Sequence, residues 1–156
     1  MEQQNVLVIG AGFMGAGIAQ VCAQSGYRVH LNDVKPEALG KAEKGLRWSV
    51  NKLSEKGFLQ EEPDKILNRL TYENDMSCAA DADWIIEAVL EVEALKIDLF
   101  RVLEEKLPAT TPLATNTSSI PITRIAALLR RPERMLGRHF FGAVPCMGLG
   151  VVVEGE

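Results

Sequence analysis

Short apolar runs alternate with longer stretches of helical periodicity along almost the whole chain. Val6-Leu7-Val8-Ile9 is cut off by Gly10 and reads as a strand buried on both faces. Helical spacing follows from Met14 to Ser25 and stops at Gly26. Arg28 to Asn32 predicts a second strand. Pro36 to Lys56 predicts a long helix with its proline in the first turn, where a missing N–H costs nothing. Pro63 to Arg69 reads as a short helix, Leu70 to Tyr72 as a short strand, Trp84 to Val89 as another buried strand and Glu93 to Lys106 as a helix. Leu113 to Thr115, Ile122 to Leu129 and Met135 to Phe141 continue as strand, helix and strand, the last after the breaker Pro132. Leu149 to Val153 is a final apolar strand. Strands alternating with helices predict an α/β fold, a doubly wound and mostly parallel sheet with helices on both faces. No repeat or low-complexity linker divides it, so residues 1–156 read as one domain.

Composition narrows the partners. With 156 residues, 47% of them hydrophobic, the chain can bury roughly two thirds of its unfolded surface without staples. Its net charge is -4 and its basic residues are scattered, so neither nucleic acid nor an anionic membrane is an expected partner. A polar leader precedes Val6 and no apolar stretch approaches spanning length, so neither a signal peptide nor a membrane helix is expected. Cys22, Cys78 and Cys146 are widely spaced, which argues against a disulfide framework and against a zinc site, and makes the reducing cytoplasm the expected location.

The candidate chemistry begins at Gly10-Ala11-Gly12-Phe13-Met14-Gly15, which follows a strand and opens a helix. In that setting Gly10 makes the turn, Gly12 lets the backbone approach a pyrophosphate and Gly15 permits close helix–strand packing, while the helix N-terminus presents N–H groups to the phosphates. Asp33 closes the second strand about twenty residues on, where a carboxylate accepts hydrogen bonds from ribose hydroxyls and repels a 2′-phosphate. The domain is therefore expected to be Rossmann-type and to take NAD rather than NADP.

Four stretches together resemble the N-terminal, NAD-binding domain of the L-3-hydroxyacyl-CoA dehydrogenases: Gly10 to Gln20, Glu87-Ala88-Val89-Leu90-Glu91, Thr115-Asn116-Thr117-Ser118-Ser119 and Gly137-Arg138-His139-Phe140-Phe141. The resemblance covers essentially the whole chain and implies NAD-dependent oxidation and reduction at C3 of an acyl-CoA, within fatty acid metabolism. It implies that Glu91 and Lys96 contact the cofactor, and that Ser49 and Lys56, two helical turns apart, contact coenzyme A. Read without it, Glu91 is a first-turn acid, Lys96 an exposed lysine, and Ser49 and Lys56 ordinary helix residues. It also implies that His139 is the base that takes the hydroxyl proton, that Ser118 hydrogen-bonds the reacting oxygen and that Asn116 positions the loop or substrate. Ser119 reads as structural. No resident metal is expected.

Three features depart from the family pattern. Gly142-Ala143-Val144-Pro145 stands where Asn-Pro-Val-Pro is usual, Val151 stands twelve positions after His139 where an orienting Glu is usual, and these 156 residues are expected to lack the family's helical domain. Glu154 is three positions beyond Val151, an odd shift that reverses the sheet face. Two readings follow: a 3-hydroxyacyl-CoA dehydrogenase, impaired as an isolated chain, or a non-catalytic module that binds NAD or acyl-CoA. The apolar tail predicts a homodimer, and a separate chain carrying the helical domain is the other expected partner.

Overall fold

The computed structural model describes residues 4–140 and 150–154, with the backbone alone for 138–140 and 150–154. Five residues of Asn5–Ile9 form strand β1, and its side chains divide by parity between two cores. Val6 and Val8 face one and Leu7 and Ile9 the other, as a strand covered by helices on both sides requires. Helix α1 (Phe13–Gln24) and helix α2 (Pro36–Glu55) close the first face, strand β2 (Arg28–Asn32) lying between them in sequence. In α2 the buried positions Leu39, Ala42, Leu46, Val50 and Leu53 recur every three or four residues and make a single stripe. The short helix α3 (Pro63–Leu67) adds Ile66 to that core.

Strand β3 (Leu70–Glu73) pairs with β2, and a 3₁₀ turn at Ser77–Asp81 leads to β4 (Trp84–Glu87) beside β1. Helix α4 (Glu93–Lys106) and helix α5 (Ile122–Ala126) cover the second face through Ile97, Phe100, Leu103, Ile125 and Ala126. Between and after them run β5 (Leu113–Thr115), β6 (Met135–Phe140) and β7 (Gly150–Glu154).

The sheet order is β3-β2-β1-β4-β5-β6-β7. The first six strands are parallel, and β7 turns back antiparallel to β6. This is the doubly wound α/β architecture expected. The order in which strands are added reverses between β1 and β4, the switch point outside which such sheets hold ligands. Among the described residues no helix is long and apolar enough to cross a membrane.

Several elements differ from expectation at their ends; α3 stops at Leu67 rather than Arg69, and β3 runs on to Glu73. β4 stops at Glu87 rather than Val89, because the Glu87 side chain accepts the Val89 N–H at 2.7 Å and turns the backbone out of the sheet. α5 ends at Ala126, three residues short of Leu129, and tighter turns carry the chain on. Pro132 does not only break; it opens a 3₁₀ turn, Pro132–Arg134. Phe141 and Leu149 lie outside the described residues.

The β1–α1 turn has the tightest backbone contacts. Gly10 has φ +105° and donates its N–H to the Asn32 carbonyl at 2.8 Å. A Cβ on Gly15 would stand 1.7 Å from the Gly10 carbonyl oxygen, whereas one on Gly12 would meet nothing within 4 Å. Gly15→Ala is therefore expected to cost at least the 1–3 kcal/mol roughly typical of overpacking. Gly12→Ala should cost no more than about 1 kcal/mol, the scale of an N-cap preference. Denaturant unfolding of both variants tests the contrast, and equal midpoints would contradict this account of the turn.

Candidate functional site

At the carboxyl edge of the sheet the glycine turn is held by Asp33. One carboxylate oxygen accepts the Ala11 N–H at 2.9 Å and the other accepts the Lys35 N–H at 2.9 Å, so the acid just after β2 braces the loop just after β1. Two further lone-pair directions remain on that carboxylate. Gly12 is the N-cap of α1, no side chain caps that end, and no acid occupies its first turn. Phe13 is 78% exposed and Met14 is half-buried. The result is a helix end with donor N–H groups and open space at Gly12.

Across the switch point the next element is charged and buried. Glu87 and Lys96 are both 0% exposed, with Lys96 Nζ 2.6 Å from Glu87 Oε1. The other Glu87 oxygen accepts the Thr115 hydroxyl at 2.6 Å, which ties β4 to β5. Lys96 also lies 3.2 Å from Glu91 Oε2. Lys96 is thus not an exposed lysine, and Glu91, which precedes the N-cap Val92, is not a first-turn acid; that position belongs to Glu93. Glu91 instead organises the loop after β5. Its Oε1 accepts the Thr117 hydroxyl, the Ser119 hydroxyl at 3.1 Å and the N–H groups of Ser118 and Ser119 at 3.2 and 3.4 Å. Partial burial raises the Glu91 pKa, but the Thr117 hydrogen bond, the charge and hydrogen bond of Lys96 and the Ser119 hydroxyl outweigh it and hold the group at about 2.

The remaining residues singled out from the sequence fall in two places. Ser118 is exposed on the loop that Glu91 holds, and Asn116 donates its backbone N–H to the Glu87 carbonyl at 2.8 Å. β6 lies beside β5, and His139 occupies the position before its carboxyl end, so the topology brings it to the same edge. Its register partner in β7 is Val151, while Glu154 stands opposite Leu136, three pairs away. Residues 142–146, with Cys146, lie outside the described residues. On the other flank a groove of about 740 Å³ runs between α1 and α2, lined by Gly12, Phe13, Gln20, Trp48 and Ser49 among others. Lys56 follows the last residue of α2, is exposed and does not line that groove.

Sequence reasoning missed Glu87 as a residue with a role of its own, together with Thr115 and Thr117. The available signal was a charge closing an apolar strand, Trp84-Ile85-Ile86-Glu87, which demands a buried partner.

A glycine turn between strand and helix, braced by the acid just after the next strand at a switch point, defines a dinucleotide-binding α/β domain. Residues 5–156 match the family described as 3-hydroxyacyl-CoA dehydrogenase, NAD binding domain, and the chain belongs to that family. A probable 3-hydroxybutyryl-CoA dehydrogenase of Deinococcus radiodurans is 44% identical over 148 residues, covering 95% of this chain and 53% of the relative. The 3-hydroxyadipyl-CoA dehydrogenase of Escherichia coli is 46% identical over 153 residues, covering 97% and 32%. The crystal structure of (S)-3-hydroxybutyryl-CoA dehydrogenase from Ralstonia eutropha superposes with a TM-score of 0.93 at 34% identity, covering 99% of this chain and 55% of that one. The chain spans about half or less of the length of these relatives.

A carboxyl held at about 2 in the folded chain, against 4.5 as its ordinary value, adds stability that is present above pH 4.5 and disappears as the pH falls toward 2. The difference in denaturant midpoint between the unaltered chain and Glu91→Gln should be constant from neutral pH to about 4.5 and narrow below it. A difference that stays the same at pH 3 would remove the stabilising role given to this carboxylate.

Proposed function

We propose that the chain is the cofactor-binding half of an NAD-dependent 3-hydroxyacyl-CoA dehydrogenase, interconverting alcohol and ketone at C3 of an acyl-CoA in the cytoplasmic metabolism of fatty acids. What supports this reading is the carboxyl edge of the sheet, which holds together the open helix end at Gly12, the braced Asp33 and the loop held by Glu91. In this reading Gly10 and Gly15 shape the turn and Gly12, Phe13 and Met14 line the approach of the pyrophosphate. Asp33 receives the adenosine ribose hydroxyls, and Glu91 and Lys96 set the nicotinamide end. When bound, NAD supplies the hydride acceptor. His139 takes the proton from the substrate hydroxyl in one direction and returns it in the other. Ser118 hydrogen-bonds the reacting oxygen, and Asn116 keeps that loop in position. Ser49, in the groove beside the glycine turn, and Lys56, at the end of α2, hold the coenzyme A portion.

A second reading, a non-catalytic module that binds NAD or acyl-CoA, is favoured by one observation: Val151 is the register partner of His139. An apolar residue there accepts no ring N–H, and loss of the orienting acid costs on the order of 10^4-fold in the serine-protease analogy. A helical domain, in a separate chain or a longer product, or a second copy of this chain would close the site.

Two outcomes follow. In calorimetry NADH should bind tighter than NADPH, and Gly12→Val should weaken NADH without unfolding the domain; equal affinities, or an unaffected Gly12→Val, would overturn the cofactor site. Turnover of acetoacetyl-CoA with NADH should be very slow, and Val151→Glu should raise it at least about tenfold, a modest part of the 10^2–10^4 typical of acid–base catalysis. His139→Ala in that background should erase the gain. Ordinary dehydrogenase rates from the unaltered chain would show that the acid has been wrongly assigned.

A further inference from the structure

On the face of the sheet opposite α1 and α2, three different donor side chains converge at the outer strands. His30 is in the middle of β2, Glu73 ends β3 and Cys78 lies in the 3₁₀ turn that follows. The His30 Nδ1, a Glu73 carboxylate oxygen and the Cys78 Sγ all lie within 4.8 Å of one another, and all three residues are half-buried. His30 Nδ1 is 2.7 Å from Glu73 Oε1. Cys78 is a thiol hydrogen-bonded to the same carboxylate; burial first, and Glu73 second, push it up to about 12. The connecting backbone is pinned. Asn32 Nδ2 donates to the carbonyls of Glu73 and Asp75 at 3.1 and 2.5 Å, and the Asp75 carboxylate accepts the Ser77 N–H at 2.8 Å.

We propose that His30, Glu73 and Cys78 form a zinc site, distinct from the crevice at the glycine turn and independent of the function proposed above. A thiolate, an imidazole and a carboxylate suit zinc, whereas calcium and magnesium take oxygen ligands. Zinc bound at about 2.0–2.3 Å from each donor needs those donors roughly 3.3–3.6 Å apart. The histidine–carboxylate pair, 2.7 Å apart, must therefore open by under an ångström or so, and the sulfur, within 4.8 Å of both, must close by no more than about 1.5 Å. Both shifts are side-chain movements within a pinned frame. On binding, the Cys78 thiol releases its proton to solvent and becomes the thiolate ligand. His30 offers Nδ1 to the metal with its ring proton on Nε2, and Glu73 exchanges its hydrogen bonds for the metal. Water completes the fourth position. The ion clips β2, β3 and the connection to β4 together at the edge of the sheet.

Cysteine spacing carries no sign of such a site. A mixed site uses one cysteine and two residues that only the β2–β3 register brings near it.

The chelator-treated 156-residue chain should bind one zinc with a rise in melting temperature, and cobalt(II) should give a sulfur-to-cobalt charge-transfer band. Cys78→Ser and His30→Gln should each weaken zinc about a hundredfold, at least the upper end of the cost of losing an outer-shell partner. Cys78→Ser should also abolish the band, while Cys22→Ser and Cys146→Ser leave it intact. In the unsubstituted chain, equimolar zinc should protect Cys78 from an alkylating reagent, as read by mass spectrometry. Alkylation of Cys78 that is indifferent to zinc, or a band lost with Cys146→Ser instead, would overturn the site.

Discussion

The ion pair between Glu87 and Lys96 is the contact on which the carboxyl edge of this domain depends. Both side chains are fully buried, and removing two charges from water costs several kcal/mol per ion unless the geometry and the remaining hydrogen bonds compensate. Here they do. Glu87 takes the Lys96 ammonium and the Val89 N–H on one oxygen and the Thr115 hydroxyl on the other, so one carboxylate joins β4, β5 and α4. Lys96 passes the organisation on to Glu91, and Glu91 accepts the hydroxyls of Thr117 and Ser119 and the N–H groups of Ser118 and Ser119. The chain of contacts begins in the core and ends on the loop that carries the candidate substrate-binding serine.

Asp33 does for the other side of the switch point what Glu87 and Glu91 do for this one. It bonds the Ala11 and Lys35 N–H groups across the β1 and β2 ends, so both walls of the crevice are set by carboxylates that accept backbone or hydroxyl donors. Such a frame is preorganised before any ligand arrives, which is what a site made of loops requires from its scaffold. The steric demand is equally local. Gly15 sits against the Gly10 carbonyl and Gly12 faces open space, so the same motif carries one glycine for packing and another for access.

Much of this was legible in the sequence, for identifiable reasons. The strands of a parallel sheet are short apolar runs and α2 has a single buried stripe, so periodicity located both, with errors only at ends such as Glu87 and Ala126 where a side chain or a tighter turn took over. The glycine turn and Asp33 were legible because their chemistry is tied to short, ordered spacings. The Glu87–Lys96 pair was not, since a charge at a strand end looks solvated until the helix after it is seen folding back over it. Nor was the meeting of His30, Glu73 and Cys78, which depends on strand register and on the path of a 3₁₀ turn. The odd offset between Val151 and Glu154 was read correctly from parity, and the β6–β7 pairing puts Val151, not Glu154, opposite His139.

Glu87 and Lys96 act as one unit, and a double-mutant cycle in unfolding free energy reads their coupling. Lys96→Met should cost about 3–5 kcal/mol, because it leaves the Glu87 carboxylate buried without its counter-charge, and Glu87→Gln should cost less, because Glu91 stays 3.2 Å from the ammonium. The double variant should lose much less than the sum, with a coupling energy of roughly 2 kcal/mol or more. Costs that add to within about 0.5 kcal/mol, the behaviour of independent sites, would show that the pair does not hold the edge of the sheet together.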